Sequence, residues 1–384
     1  MPGMDRQHFD AEHDTFRDSL RRFLAKEVVP HQQAWEQAGI VPREIWRKAG
    51  EQGFLLTWLD EAYSGAGLGH DFRFEQIVIE ELAYINESGL FAGLHSATVA
   101  PYLAHFGSEE QKQRFLPKAA SGECILAIAM TEPGAGSDLA GMRATAVDDG
   151  DHWVLNGAKT FVSNGINADL VIVAARTVPD KPHGISLFLV ERGMDGFERG
   201  RKLDKLGLKA QDTSELFFNN VRLPKANLLG RPHQGFKYLM HGLAQERLVC
   251  SIGAVAGAEA ALQTTIEYVK GRKAFGQTIA DFQNTRFKLA ELRTQIDVAQ
   301  TFVDRCVRDH NERKLSAEVA AEAKLFTTEL LGRVVDEGVQ LHGGFGYMWE
   351  YPICRMYANA RIQRIFAGSS EIMKEIISRK LLAQ

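Results

Sequence analysis

The sequence predicts a chain of helices, then strands, then helices again, and three observations predict it. Up to about residue 123, apolar residues recur at helical spacing. From about 124 to 236, short β-prone runs alternate with clusters of Gly, Asn and Asp. After Gly235 helical spacing returns over much longer stretches. At roughly 150 residues per domain, a chain of 384 residues is expected to hold two or three domains.

In the first segment Phe9, Phe16, Leu20, Phe23, Leu24 and Val28 keep a helical period, as do 71–85 and 91–106. Breaks are expected at Gly50, Gly53 and 64–69, and Pro101 is expected to start or kink a helix. In the second segment strands are expected at 124–131, 152–155, 159–163, 170–174, 185–190 and 215–221. Turns are expected at 148–151, Asn156-Gly157 and Asn164-Gly165. That spacing suits a small antiparallel barrel or sandwich. In the third segment long helices are expected at 238–269, 283–311 and 316–342, with a last one from Ser370. Small residues in the first of these, among them Ser251, Gly253, Gly257 and Ala261, imply close packing on another helix.

Composition narrows the function classes. The chain is 45% hydrophobic and 24% charged, as globular proteins are. Its 45 basic and 49 acidic residues argue against a dedicated nucleic-acid or anionic-membrane binder. The longest unbroken apolar runs, such as 124–130 and 170–175, fall far short of the ~20 residues of a membrane span, so none is expected. The first residues, MPGMDRQHFDAEHD, lack leader or transit character. The expectation is a bacterial cytoplasmic protein, or a mitochondrial matrix protein whose transit peptide has been removed. Cys124, Cys250, Cys306 and Cys354 stand apart, which suits a reducing compartment. The twelve histidines show no metal spacing, and Walker A, complete G-x-G-x-x-G and G-x-S-x-G motifs are lacking.

Three runs carry chemistry. AMTEPGAGSD at 129–138 leaves an expected strand for a Gly-rich turn, where backbone amides can approach a planar or anionic ligand. Taken alone, a tight structural turn explains it equally well. NGAKTFVSNG at 156–165 places Phe161 and Ser163 on one strand face, an aromatic to cover a flat ring beside a hydroxyl for its edge. A core Phe with a surface Ser is the plainer reading. QLHGGFGYMWEYP at 340–352 and RIFAGSSEI at 364–372 are Gly-rich breaks at helix ends, suited to a pyrophosphate or simply to helix capping.

With KLGLKAQDTSE at 205–215 and GRKAFGQTIADFQ at 271–283, these runs resemble the acyl-CoA dehydrogenases, a flavoprotein family, over essentially the whole length. QERL, KAQDTSELFF and GYMWEYP are most similar to the long-chain enzymes, then to isovaleryl-CoA dehydrogenase. The resemblance implies an α+β multidomain fold: an N-terminal helical domain (1–123), a central antiparallel β-barrel (124–236) and a C-terminal four-helix bundle (237–384). It implies FAD, an acyl-CoA substrate, electron-transfer flavoprotein as electron acceptor and a homotetramer. Ile128, Ala129, Met130, Thr131, Gly136 and Ser137 would line the flavin, Ser137 also meeting the acyl-CoA. Phe161, Val162 and Ser163 would cover the ring, with Phe161 where many relatives have Trp. Arg272 and Gln283 would reach the FAD of a neighbouring subunit. Gln340, Leu341, His342, Gly343 and Gly344 would hold the pyrophosphate, and Ser369, Ser370 and Glu371 the adenosine.

The implied reaction takes a proton from the acyl α-carbon and a hydride from the β-carbon to flavin N5, leaving a trans double bond. It needs a base and donors for the thioester oxygen. Many relatives carry the base just before a Gly-Thr or Gly-Ser near the C-terminus, where this chain has Ala367. The long-chain and isovaleryl enzymes carry it in a Glu-Arg pair, here Glu246-Arg247. Glu246 is therefore the expected base and Arg247 an orienting or ligand-binding group. The Ala367 N–H, with Gly368 after it, is the expected donor to the thioester. On local grounds alone a first-turn carboxylate and salt bridge is the plainer reading of Glu246 and Arg247, and Ala367 reverses it, because the site otherwise has no base. The alternative function is an oxidase, a monooxygenase or a non-catalytic binding protein on the same scaffold.

Overall fold

The computed structural model describes residues 6–179 and 181–383. The N-terminal segment folds into α1 (Ala11–Phe23), α2 (Gln32–Ala38), α3 (Arg43–Glu51), α4 (Arg73–Tyr84), α5 (Ala100–Phe106) and α6 (Glu109–Ala120). Asp10 caps α1 in a reciprocal box with His13. The 91–106 run is not one α-helix: a π-helical turn, Leu94–Val99, precedes α5. Pro101 sits in the first turn of α5, where its missing N–H breaks no hydrogen bond. Helices α2, α3 and α6 went unread in the sequence; α6 is mostly charged outside, and its Ser108–Gln111 capping box is the signal that could have found it. A charged network fastens the chain start to the rest: Arg6 bonds Glu80 on α4 at 2.8 Å and Asp304 at 2.6 Å.

The middle segment forms β1 (Leu126–Ala129), β2 (Thr145–Asp148), β3 (His152–Val162), β4 (Leu170–Arg176), β5 (Ile185–Glu191), β6 (Phe197–Lys202), β7 (Ser214–Pro224) and β8 (Leu228–Leu229). The order is β6-β7-β3-β2-β4-β5-β8, with β1 also on β4. The expected antiparallel barrel does not form. The sheet stays open at β6 and β8, and it is mixed, because β1 and β2 both pair with β4 in parallel. One edge strand is two residues long. Arg199 on the other donates to the carbonyls of Gly165 (3.1 Å) and Ala168 (2.8 Å), tying β6 to a loop. Asn156-Gly157 is not a hairpin turn either: β3 runs straight through it with a bulge. Gly157 (φ 141°) is needed there because a Cβ would lie 2.6 Å from that of Ala144. The turns at 148–151 and 164–165 form as expected, with Asn164 left-handed (φ 60°).

The last segment holds α7 (Gly235–Gly271), α8 (Gln283–Asn311), α9 (Ala317–His342), α10 (Pro352–Ala360) and α11 (Ser370–Leu382). Helix α7 is the spine: it packs on α9 above all, and on α4, α8 and α10. Its small residues admit close neighbours, a Cβ at Gly257 falling 3.5 Å from Leu331 and one at Gly253 3.6 Å from Ile79. By length and mean hydropathy (1.3) α7 could cross a membrane, which no unbroken apolar run suggested. It is a core helix instead: its alanines raise the average, and Leu248, Ile252, Val255 and Leu262 are buried against the bundle.

Candidate active site

Glu246 lies in the N-terminal half of α7 and is 6% exposed. Tyr102 on α5 donates its hydroxyl to Glu246 Oε1 at 2.8 Å. Burial pushes the Glu246 carboxyl above its ordinary range; the Tyr102 hydrogen bond and the Arg247 charge pull it back only in part. Arg247 is buried too. One guanidinium nitrogen donates to the Ala317 carbonyl at 3.3 Å, while Nε has no partner among the described residues. A buried N–H without an acceptor suits a ligand oxygen.

Two cavities flank this stretch of α7. The larger, about 530 Å³, meets Tyr102, Gly242 and Gln245 and is walled by Trp58, Phe72 and His241. The smaller, about 180 Å³ and mostly apolar, meets Val249, Cys250 and Gly253 and reaches Leu94, Leu208 and Phe366. The π-helical turn links α7 to the sheet. Gln245 donates to the Ala97 carbonyl at 2.7 Å, and the Leu126 N–H donates to His95 Nδ1 at 3.1 Å. The wider π turn is what lets one short segment face both partners.

Hydrogen bonds also join the first two chemical motifs. The Thr160 N–H donates to the Thr131 carbonyl at 2.9 Å, and Lys159 Nζ to the Met130 carbonyl at 2.9 Å. Phe161 sits beside them on left-handed backbone (φ 57°) with its ring 68% exposed. The hydroxyls of Thr131, Ser137 and Ser163 make no hydrogen bond among the described residues. Ala129 and Val162 are buried in the sheet core, so they can offer a ligand only backbone. Ile128 and Met130 are half-buried, and Gly136 lies open with nothing within 4 Å of a Cβ. An exposed aromatic side chain on a strand hydrogen-bonded to the Gly-rich loop, with hydroxyls in both segments left without a partner among the described residues, fits a flat heteroaromatic cofactor such as a flavin.

Ala367 and Gly368 form a left-handed turn (φ 51° and 91°). Buried Lys324 on α9 donates to the Gly368 carbonyl at 2.7 Å and fixes it. The Ala367 N–H has no acceptor among the described residues. Ser369 caps α11 by accepting from the Ile372 N–H at 3.4 Å. The buried Ser370 donates to Glu329 at 2.6 Å, and Glu371 is exposed. Both serines are thus engaged within the chain, Ser369 as the cap and Ser370 in a bond to α9 rather than in capping.

The remaining expected cofactor residues gather elsewhere. Arg272 ends α7, about 39 Å from Glu246 at 1.5 Å per residue. Its guanidinium lies 5.6 Å from the Phe345 ring centroid, and Tyr268 stacks on His342 at 4.0 Å. Gln340, Gly343 and Gly344 are exposed there, Leu341 is half-buried, and Gln283 opens α8. The residues expected to bind the cofactor therefore lie in two separate groups. Sequence reading missed Tyr102, Gly242 and Lys324, which lie in no motif, and Lys159, which lies in NGAKTFVSNG but bonds Glu132 in AMTEPGAGSD.

Three family models cover nearly the whole chain: acyl-CoA dehydrogenase N-terminal domain at 10–123, middle domain at 127–221 and C-terminal domain at 233–382. The chain is 52% identical to the long-chain specific acyl-CoA dehydrogenase of Sus scrofa, covering 98% of this chain and 88% of that protein. It is 36% identical to isovaleryl-CoA dehydrogenase of Pongo abelii, covering 96% and 88%. Among solved structures, acyl-CoA dehydrogenase of Geobacillus kaustophilus superposes with a TM-score of 0.96 at 50% identity, covering 98% and 100%. A glutaryl-CoA dehydrogenase of Mycobacterium smegmatis, in complex with FADH2, superposes with a TM-score of 0.91 at 29% identity, covering 98% and 96%.

Proposed function

The chain belongs to the acyl-CoA dehydrogenase family, and from that premise we propose that it dehydrogenates an acyl-CoA thioester with Glu246 as the base. The observation that carries this reading is a buried carboxylate, raised toward protonation, on a stretch of α7 whose neighbouring residues line two cavities, in a site whose other expected base position is Ala367.

The α-proton of a thioester is too weakly acidic to leave unaided. The carboxylate of Glu246 receives it, and burial raises the basicity that this transfer needs. The uncommitted N–H of Ala367 donates to the thioester oxygen, where negative charge gathers as the proton leaves. Lys324, through the Gly368 carbonyl, keeps that N–H in place. Arg247, with its unpaired Nε, meets a polar group of the acyl-CoA, and Ser137 meets it from the sheet side. Phe161, Ser163 and Thr131 hold the flavin, read as FAD, which when bound supplies the two-electron acceptor for the β-hydride. Electron-transfer flavoprotein takes the electrons onward.

The distance between the two groups supports a homotetramer in which Arg272, Gln283 and 340–344 of one subunit complete the FAD site of another. Domain limits of 1–123, 124–236 and 237–384 go with this reading. Likeness to the long-chain enzyme and the apolar cavity beside Cys250 support a long-chain substrate. Bacterial cytoplasm or mitochondrial matrix both agree with the relatives.

Anaerobic titration of the flavin-loaded protein with short, branched, long and sterol-type acyl-CoAs tests the reading. Stoichiometric bleaching of the flavin band by long-chain thioesters is expected. Bleaching by another class alone would overturn the chain-length assignment. Absence of bleaching by all of them, or peroxide release in air at the rate of turnover, would overturn the dehydrogenase mechanism.

A further inference from the structure

Tyr102 and Glu246 come from different helices, α5 and α7, and meet in the interior. Tyr102 is 2% exposed, Glu246 is 6% exposed, and the hydroxyl donates to Oε1 at 2.8 Å. The meeting depends on a gap. Gly242 stands one helical turn before Glu246, and a Cβ there would lie 2.7 Å from Tyr102 Oη and 3.1 Å from Glu246 Oε1. No hydrogen bond from a described residue reaches Oε2. One oxygen of the carboxylate is held and the other is free.

We propose that Tyr102 is the positioning residue of the base, holding Oε1 so that Oε2 takes the α-proton, and keeping the carboxylate ionised when substrate excludes water. This inference rests on the reading of Glu246 as the base. A hydroxyl donor stabilises the charged form and does nothing comparable for the protonated one. The Tyr102 phenol is itself driven well above its ordinary range by burial and by the Glu246 charge, so it stays a donor at every working pH.

Other ionisable groups face the pair. On α7, Arg247 acts on Glu246 in the same direction as Tyr102. Cys250, one turn further on, is pushed up to about 11 by burial and stays a neutral thiol. Lys324 on α9 faces Cys250 and Arg247. His105 and His241 share the larger cavity with Tyr102, their ring centroids 5.5 Å apart. Burial holds the His105 imidazole below its ordinary range, and no hydrogen bond joins either ring to the Tyr102 hydroxyl among the described residues.

The test is the pH dependence of kcat/KM for Tyr102→Phe in the flavin-loaded enzyme, beside wild type and Glu246→Gln. Below the acid limb, loss of one hydrogen bond to a charged group should lower kcat/KM about tenfold. The acid limb should move up by about one pH unit, and the rates should converge above it. Flavin content should stay that of wild type. If Tyr102→Phe does not fold, Gly242→Ala should push the hydroxyl off Oε1 and move the limb the same way. An unmoved limb in a folded variant, with Glu246→Gln inactive, would overturn the role of Tyr102 alone. Substrate reduction surviving in Glu246→Gln would overturn the base assignment beneath it.

Discussion

Glu132 and Glu246 are both buried carboxylates, one on the loop after β1 and one on α7. Glu132 accepts the Lys159 ammonium at 2.8 Å and the N–H groups of Arg143 and Ala144 at 2.6 and 2.9 Å. Glu246 accepts one hydrogen bond, from a neutral phenol. Burial drives both toward protonation. At Glu132, Lys159 and the two backbone donors more than offset it, and the carboxyl falls below its ordinary range. At Glu246 the offset is incomplete and the carboxyl stays raised. A carboxylate with a cation and backbone donors on its two oxygens is held ionised and serves structure. An under-satisfied one is basic and has an oxygen free, which is what proton abstraction needs.

The comparison breaks if removing the Glu246 charge leaves chemistry intact. Glu246→Gln should retain flavin and near-native stability yet lose about 10³-fold or more in the rate of flavin reduction by substrate, within the usual range for general-base catalysis. Stopped-flow reduction measures it, and a loss under tenfold would sink the contrast. The converse change is Lys159→Met, which leaves Glu132 buried and unpaired. It should cost about 3–5 kcal/mol of stability in denaturant unfolding, because an uncompensated buried charge is expensive.

The signs with pH should differ as well. Glu132 is depressed in the folded state, so its stabilisation is complete above the unfolded carboxylate pKa. It is lost as pH falls through the lower folded value. Wild type should therefore lose stability on acidification below the ordinary carboxylate range faster than Lys159→Met does, as thermal midpoints across that range would show. The smallest effect sharpens the picture at the other base position. Ala367 sits at φ 51°, so Ala367→Gly should relieve about 1 kcal/mol of backbone strain and raise the thermal midpoint. A drop in midpoint would mean that the turn is not strained.

Much of the site was legible because its parts are local. The helix from 283 to 311 begins and ends where its periodicity said, since amphipathic spacing is a property of neighbouring residues. Glu246 is singled out only through the resemblance, by the Glu246-Arg247 pair of the long-chain enzymes and by Ala367 at the position where many relatives carry the base. The misreadings have one physical source. Asn156-Gly157 has turn composition, but Asn156 accepts the Asn220 N–H at 2.8 Å across the sheet, and the strand continues. Likewise 91–106 keeps helical spacing through a π turn that packing on α7 and β1 selects.

The sequence by itself determined the order of helical and β segments and the family. Those follow from periodicity, from turn-forming residues and from motifs of a few consecutive positions. Only the tertiary structure decided that the sheet stays open, that Lys159 saturates Glu132, and that Gly242 leaves room for Tyr102 to reach Glu246. Tyr102 and Glu246 are 144 positions apart in the chain, as are no two members of any one motif. A carboxylate's basicity depends on how many donors reach it through space, and spacing along the chain does not encode that count.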